Sequence, residues 1–330
     1  MEAAPVEAAQ ALHRDALVVD AHADTVLDII NGRPLGRRSR RGHVDLPRLR
    51  DGGVKVQVFA HYIQGEYKPD RALPRFLELL DAFLTEVDAN ASHITVVKTV
   101  AQLEEAVSQG KIAAVLAIEG GEALAGRLAV LRIFHRLGVR LIGLTWNERN
   151  DLADGVGESG TGGGLSRLGV AVVQEMNRLG MVVDVSHLSD AGFWHVMEVS
   201  SRPVVASHSN CRALCNHPRN LSDEQIKALA RNGGVMGMNF YPPFVDEDPR
   251  QATIDRIVDH MEHIVQLVGP DHVGLGSDFD GIDSTPIDLE DVSKLPRLTE
   301  AMVRRGFSDA DIRKILGENF LRVFRQVWGG

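Results

Sequence analysis

Short apolar runs recur along the chain, and helix-compatible stretches separate them. Continuous Val, Ile, Leu and Ala, rather than apolar/polar alternation, is typical of strands buried on both faces, and intervening helices imply parallel pairing with right-handed crossovers. Eight such units predict an α/β fold, a (β/α)8 TIM barrel. The eight runs are LVVDAH (17–22), VKVQVFAHY (54–62), IAAVLAIE (112–119), RLIGLTW (140–146), MVVDVSH (181–187), PVVASHS (203–209), GVMGMNF (234–240) and HVGLGSD (272–278).

Several of the intervening stretches have readable helix signals. PRFLELLDAFLTEVDA has apolar residues at helical spacing, and the segments beginning at Ser222 and Ser308 each open with an N-cap residue. The Ala-rich start of the chain predicts an amphipathic helix. Because neither an internal repeat nor an interdomain linker is visible, we expect residues 1–330 to form a single barrel domain with an N-terminal helical extension and C-terminal helices.

Composition narrows the classes of partner. The 330 residues include 36 Lys plus Arg against 45 Asp plus Glu, a net charge of −9, so no basic field exists to recruit nucleic acid or an anionic membrane. Five arginines between Arg33 and Arg41 are interpreted as a solvated loop for the same reason. We therefore expect no nucleic-acid partner and no membrane partner.

The sequence also indicates a compartment. It contains no apolar run near the roughly 18 residues of a membrane span, and its start lacks the basic and apolar regions of a secretion signal. Cys211 and Cys215 are too few for a disulfide framework and are interpreted as packed, reduced thiols. These features predict a soluble, cytoplasmic protein.

Polar residues interrupt the apolar runs at one end. The C-terminal ends of parallel barrel strands open onto one face, so residues distant in sequence converge there. A single histidine at a strand end is usually a hydrogen-bonded interior or rim residue. Burying so many ionisable groups unpaired would cost several kcal/mol per charge, so the joint pattern favours a functional site. The residues are Asp20, His22, Asp24, Glu119, His187, His208 and Asp278.

The donor types in this set suit a metal. Apart from Asp20, the set provides three imidazoles and three carboxylates. These donors fit a borderline divalent ion such as Zn²⁺, and they outnumber the ligands of one tetrahedral ion. Two ions roughly 3.5 to 4 Å apart would share a bridging carboxylate and hold a hydroxide nucleophile between them. Glu119 is placed for that bridge. Spacing alone does not distinguish Asp278 from a sixth ligand.

Six ordered motifs resemble the membrane (renal) dipeptidase family of zinc peptidases, in its bacterial-type soluble form. The resemblance runs from about residue 15 to the end of the chain. It implies a TIM barrel of the metal-dependent hydrolase type with two zinc ions, which cleaves dipeptides and often tolerates or prefers a D-residue at the C-terminal position. The motifs are DAHADT (20–25), IEGGEAL (118–124), DVSHLSD (184–190), SHSNCRAL (207–214), HPRN (217–220) and GLGSDFDG (274–281).

The resemblance also implies roles for individual residues. His22 and Asp24 would bind one zinc ion, His187 and His208 the other, and Glu119 would bridge them. Asp278 is similar to the family's proton-transfer acid, and Arg219 to the arginine that holds the substrate's terminal carboxylate. Family members often dimerise, so a homodimer stays open, as does the use of another divalent metal.

One position departs from the family pattern. After the fourth predicted strand the mammalian members carry a histidine that reaches the scissile carbonyl, whereas this chain has Trp146. An indole donates one hydrogen bond but does not titrate. Asn147 or Asn150 could replace the histidine as a neutral donor, and Trp146 could either contact substrate or pack under the glycine-rich loop at 147–166. These alternatives stay open at this point.

The predicted function is hydrolysis of free dipeptides by a dizinc-bound hydroxide. One alternative is another binuclear-metal amidohydrolase acting on cyclic amides, lactams or related esters; such sites commonly use a carbamylated lysine where this chain has Glu119. A second alternative is a non-catalytic barrel that serves as a binding module. Loss of metal ligands would be its signature, and all five are present in this sequence.

Overall fold

The computed structural model describes residues 3–329 and contains nine parallel strands. Eight of them close into a barrel in the order β2-β1-β9-β8-β7-β6-β5-β4, because β2 also pairs with β4. The short β3 extends the sheet beside β4 and was not predicted. The TIM barrel prediction is confirmed. The strands are β1 Val18–Ala23, β2 Val54–Tyr62, β3 Ile94–Val96, β4 Ile112–Glu119, β5 Val139–Gly143, β6 Val182–Asp184, β7 Val205–Ala206, β8 Val235–Met238 and β9 Val273–Leu275.

Helices cover the outside of this barrel. The helix after Ser222 begins with the predicted N-cap, and a capping box with Gln225 completes it. The helix predicted from Ser308 is divided by a π-helical turn, Lys314–Glu318. The helices are α1 Ala3–Asp15, α2 Thr25–Ile30, α3 Leu46–Asp51, α4 Ala72–Ala89, α5 Val100–Ser108, α6 Leu128–Leu137, α7 Arg167–Leu179, α8 Asp190–Val199, α9 Asp223–Arg231, α10 Pro242–Val245, α11 Ile254–Val268, α12 Leu295–Arg304, α13 Asp309–Arg313 and α14 Asn319–Trp328.

Strands β6, β7 and β9 end earlier than their apolar runs predicted. The carboxylate of Asp184 accepts hydrogen bonds from the backbone N–H groups of Ser186 and Ser207, and Asp20 does the same for Ser277. These side chains take the place of ladder partners at the carboxyl ends of the strands. The chain is therefore free to turn outward and present its next residues to the open end of the barrel.

The other end of the barrel is closed by α14. Phe320 of this helix packs against Gly274 in β9, where an added Cβ would lie 2.3 Å from the ring. Helix α1 packs against α12, and His13 Nδ1 lies 2.7 Å from Thr299 Oγ1 between them. Because the amino ends of the strands are covered in this way, the accessible face of the barrel is the one where the polar residues collect.

The arginine-rich segment between β1 and β2 is only partly a solvated loop. Arg33 is buried, its Nη2 lies 2.5 Å from Asp280 Oδ2, and its Nη1 donates to the carbonyl of Val44 at 2.8 Å. The other four arginines are exposed, as predicted. The prediction was wrong for Arg33, because its partner Asp280 lies far away in the sequence. Within residues 3–329, no helix is long and apolar enough to cross a membrane.

Candidate metal centre

A cavity of about 370 Å³ opens at the carboxyl ends of the strands. Its volume is within the range of small-molecule sites. Most of the predicted site residues lie in its wall, and His22 and His208 are buried just beneath it. The lining residues are Asp24, Leu27, Tyr62, Glu119, Trp146, Asn147, His187, Arg219, Tyr241, Phe244, Asp278, Asp280, Gly281, Ile282 and Asp283.

The first group of donors is centred on His22. Its Nε2 lies 3.2 Å from Asp24 Oδ2, 3.7 Å from Glu119 Oε2 and 3.9 Å from Asp278 Oδ1. His22 lies in β1, and Asp24 follows the last residue of that strand as the N-cap of α2. Because the chain between them is extended, both side chains are directed to the same side. Three carboxylates therefore surround one imidazole nitrogen.

The second group is formed by His187 and His208. Their Nε2 atoms lie 2.9 Å apart, and they are 2.8 Å and 3.4 Å from Glu119 Oε1. Glu119 thus directs one carboxylate oxygen to each group. This is the arrangement of a carboxylate that can bridge two cations.

The electrostatics of the site favour cations. Burial lowers the pKa of His22, but Glu119 and Asp24 outweigh burial and raise it to about 10. Burial raises the pKa of Glu119, but His22 and the other two imidazoles hold it well below its ordinary range. Asp24 Oδ1 is buried without a hydrogen-bond partner. The donor set and this orphaned oxygen fit divalent metal ions, which would compensate the buried carboxylates.

Hydrogen bonds to the Nδ1 atoms fix the tautomers of the two buried imidazoles in the second group. Ser207 Oγ donates to Asp184 at 2.5 Å, so its oxygen accepts from His208 Nδ1 at 2.7 Å. His187 Nδ1 lies 2.8 Å from Asn147 Oδ1, which accepts its proton. Burial lowers the pKa of His187 to about 3 and that of His208 well below its ordinary value. Both Nε2 atoms therefore keep a free lone pair for a metal.

Strained backbone positions two of these side chains. His187 and Asp278 have φ values of 68° and 63°, in the left-handed region that most residues avoid. Gly281 follows Asp278 in the same loop, and a Cβ there would lie 2.1 Å from Asp24 Oδ2. The chain turns tightly here in order to place acidic oxygens side by side.

Asp278 is suited to proton transfer. Its Oδ1 faces His22, and its Oδ2 accepts a hydrogen bond of 2.9 Å from Asn239 Nδ2. Burial, with a smaller contribution from Glu119, raises the pKa of Asp278 to about 6 although His22 opposes this shift. A carboxyl with a pKa near the working pH can both accept and return a proton.

Arg219 is held rigidly beside the second group. Its Nη2 donates to the carbonyl of His208 at 2.9 Å, its Nη1 to Ser209 Oγ at 3.3 Å, and the guanidinium lies 5.5 Å from the centre of the Phe244 ring. The Nε of Arg219 is buried and has no partner. A fixed guanidinium at a cavity wall is suited to bind a carboxylate.

Of the three candidate residues after β5, two line the cavity and one faces away from it. Trp146 lines the cavity, with its ring 5.1 Å from that of Tyr62 and 5.8 Å from that of His187. Asn147 also lines the cavity, but its oxygen is bound to His187. Asn150 turns away, since its Nδ2 donates to the carbonyl of Leu144.

Three further histidines, near strand ends or in loops at the open end of the barrel, lie outside the metal groups. His61 faces α4, with its ring 5.6 Å from that of Phe76, and His43 bonds to Asp280. His217 accepts from the backbone N–H of Arg219. Tyr62 also contributes to the cavity, although its residue type alone did not indicate a role. Its position at the end of a predicted strand was the available signal.

A parallel barrel with histidines and carboxylates gathered at the carboxyl ends of its strands defines the class of metal-dependent TIM-barrel hydrolases. Comparison with known proteins narrows this class. The sequence profile of the membrane dipeptidase family, peptidase family M19, matches residues 6–328. The chain therefore belongs to the membrane dipeptidase family and is a metal-dependent dipeptidase, which confirms the predicted family and enzyme class.

Individual relatives agree with this assignment. The dipeptidase verJ of Clonostachys rogersoniana is 37% identical over 305 residues, which are 88% of this chain and 77% of verJ. The dipeptidase aclJ of Aspergillus oryzae is 38% identical over 296 residues, 87% of this chain and 70% of aclJ.

Solved structures match over nearly the whole chain. A metallopeptidase from Rhodobacter sphaeroides, crystallised with a phosphinate mimic of the dipeptide L-Ala-D-Ala, has a TM-score of 0.89 and 30% identity and covers 95% of this chain and 100% of its own. The dipeptidase AC, a metallopeptidase of family M19, has a TM-score of 0.90 and 31% identity and covers 96% of this chain and 99% of its own.

Proposed function

We propose that this protein hydrolyses free dipeptides at a centre that holds two zinc ions. The observation that carries the proposal is the position of Glu119, whose two carboxylate oxygens face two separate groups of donors. The residues that would hold the ions are His22, Asp24, Glu119, His187 and His208. Imidazole and carboxylate donors favour zinc, although another divalent metal would also fit them.

The metal ions and Asp278 would have different roles in the reaction. When bound, the ions supply Lewis acidity, which makes water a nucleophile near neutral pH and polarises the scissile carbonyl. Asp278 accepts a proton from the attacking water while the oxygen of that water bonds to the carbonyl carbon. The same carboxyl then gives that proton to the amine nitrogen as the C–N bond breaks. Its raised pKa and its position beside His22 support this role.

Arg219 would bind the C-terminal carboxylate of the substrate. This binding restricts the enzyme to very short peptides, because only a chain end presents a carboxylate beside the scissile bond. The position of Arg219 in the wall of a small cavity, with its guanidinium held by His208 and Ser209, supports this role. The L-Ala-D-Ala mimic bound to the Rhodobacter sphaeroides relative supports acceptance of a D-residue at the C-terminal position.

Arg219→Ala should raise KM for free dipeptides by about 10- to 100-fold, the range expected for a lost hydrogen bond to a charged group. Dipeptides with an amidated C-terminus lack the carboxylate, so their KM should change little. Steady-state kinetics on both substrate forms measure the difference. Arg231→Ala is the control, because Arg231 is exposed at the end of α9 and is not among the residues that line the cavity. Equal effects on both forms would contradict the proposed carboxylate site.

A kinetic screen tests the function itself. L-Xaa-L-Xaa and L-Xaa-D-Xaa dipeptides are compared with lactams, lactones and phosphotriesters, and the metal content is quantified on the same sample. We expect hydrolysis of dipeptides, with L-D substrates cleaved at least as well as L-L substrates. Hydrolysis of a lactam or phosphotriester in preference to every dipeptide would instead support the alternative amidohydrolase function.

The proposal also includes a cytoplasmic location and a single catalytic domain, which acts either as a monomer or as a homodimer. Free, buried thiols at Cys211 and Cys215 support a reducing compartment. Cell fractionation and light scattering of the purified protein would test the location and the oligomeric state.

A further inference from the structure

The proposed function assigns Arg219 to the C-terminal carboxylate of the substrate, but it assigns no residues to the substrate's N-terminal side chain. Arg219 lies in the segment that follows β7, and in the closed barrel β7 is opposite β2. Tyr62 ends β2, and Trp146 follows β5. A dipeptide whose carboxylate is at Arg219 and whose peptide bond lies over Glu119 therefore extends its N-terminal residue towards Tyr62 and Trp146, which both line the cavity.

These two aromatic residues form one wall, which we call the Tyr62–Trp146 wall. Their ring centres are 5.1 Å apart and their planes are inclined by 52°. Behind them lies Lys68, whose Nζ is 5.0 Å from the centre of the Tyr62 ring and 5.4 Å from that of Trp146. Lys68 borders a separate surface depression together with Glu122 and Glu148. One ammonium group thus contacts both rings from outside the substrate cavity.

The ammonium of Lys68 is fixed as well as partly desolvated. Its Nζ lies 3.5 Å from Glu122 Oε1 and 3.3 Å from Glu148 Oε2, and the Lys68 side chain is only 12% exposed. A cation over an aromatic face is worth more when water is excluded from it. Lys68 therefore connects the segments after β2, β4 and β5 and holds the two rings together.

The cavity side of this wall suits an apolar side chain. The carboxylates near it are directed to other groups: Glu119 faces the histidines, and Glu122 and Glu148 each direct one oxygen to the ammonium of Lys68, which lies outside the cavity. Large aromatic faces bind aliphatic and aromatic groups well.

From these contacts, and resting on the proposed dipeptidase function, we infer that the Tyr62–Trp146 wall receives the side chain of the substrate's N-terminal residue and selects an apolar one. Lys68 is a positioning residue for this wall. It acts through the two rings and does not touch the substrate.

The test compares dipeptides that differ only at the N-terminal residue, Leu or Phe against Gly. Lys68→Met keeps the aliphatic stem and removes the charge. It should lower kcat/KM for the Leu and Phe substrates by roughly 3- to 30-fold, mainly through KM. The Gly substrate should change less than about 2-fold, and the metal content should not change. Lys68→Arg keeps a cation over the rings and should recover most of the loss. Lys227→Met, which removes a lysine paired with Glu224 on α9, is the control.

Fluorescence provides a readout independent of turnover. Acrylamide quenching of Trp146, isolated as the difference between each protein and its Trp146→Phe counterpart, should increase in Lys68→Met. The inference would be overturned if Lys68→Met left both the quenching and the ratio of kcat/KM for the Leu substrate to kcat/KM for the Gly substrate unchanged. A parent enzyme that did not prefer Leu or Phe at the N-terminal position would also overturn it. Dipeptide hydrolysis by that parent would leave the proposed function standing. A parent that cleaves no dipeptide would overturn both.

Discussion

Asp278→Asn is expected to lower kcat by about 10²- to 10⁴-fold while the protein keeps its metal. Asparagine has the same shape and can still contact Asn239, but it neither accepts the proton of the attacking water nor returns one to the leaving amine. The five proposed metal ligands are left in place. Single-turnover rates, with metal content measured on the same sample, check this expectation.

Asp283→Asn is the matched control for that experiment. Asp283 lines the same cavity and lies in the same segment, but its side chain is exposed and belongs to neither group of donors. Its substitution should leave kcat within about 2-fold of the parent, since exposed substitutions away from the reacting groups have small effects. Near-normal activity of Asp278→Asn with full metal content would reject the proton-transfer role.

Glu119→Gln is expected to weaken binding of both metal ions and to abolish most turnover. Glutamine offers one oxygen where the carboxylate offers two, and its NH2 group is not a metal ligand. Because Glu119 faces both groups of donors, the loss should exceed the roughly 10- to 100-fold fall in affinity that is typical of changes to residues supporting a ligand. Competition with a chromophoric chelator measures the affinity.

The control for this variant is Glu66→Gln, which changes an exposed glutamate in the segment after β2. Its metal affinity should equal that of the parent. If Glu119→Gln weakens only one of two binding events, Glu119 belongs to a single metal site and the proposed bridge is contradicted.

The sequence was informative about strands and about the residues at their ends. Apolar runs predicted all eight barrel strands, and strand ends predicted the histidines and acids that converge, because a parallel barrel collects these ends on one face. Asp20 is the exception, since its carboxylate is bound to Ser277 and Gln57 and belongs to neither group of donors. β3 was missed because Ile94–Val96 is a short strand that pairs with β4 alone.

Other parts of the site depend on contacts that no local pattern encodes. Arg33 pairs with Asp280, about 250 residues away in the sequence, so its burial could not be predicted from an arginine-rich run. The support of His208 by Ser207 and Asp184 likewise requires the pairing of β6 with β7. The Lys68 contacts join three segments that follow different strands.

Titration of the chelator-treated enzyme with Zn²⁺, with bound metal and dipeptide hydrolysis followed on the same samples, tests the paired-cation centre most directly. We expect hydrolysis to rise with bound metal and to reach its plateau at two ions per chain, as a centre bridged by Glu119 requires. Full activity at one ion per chain, or two bound ions without hydrolysis of any dipeptide, would contradict it.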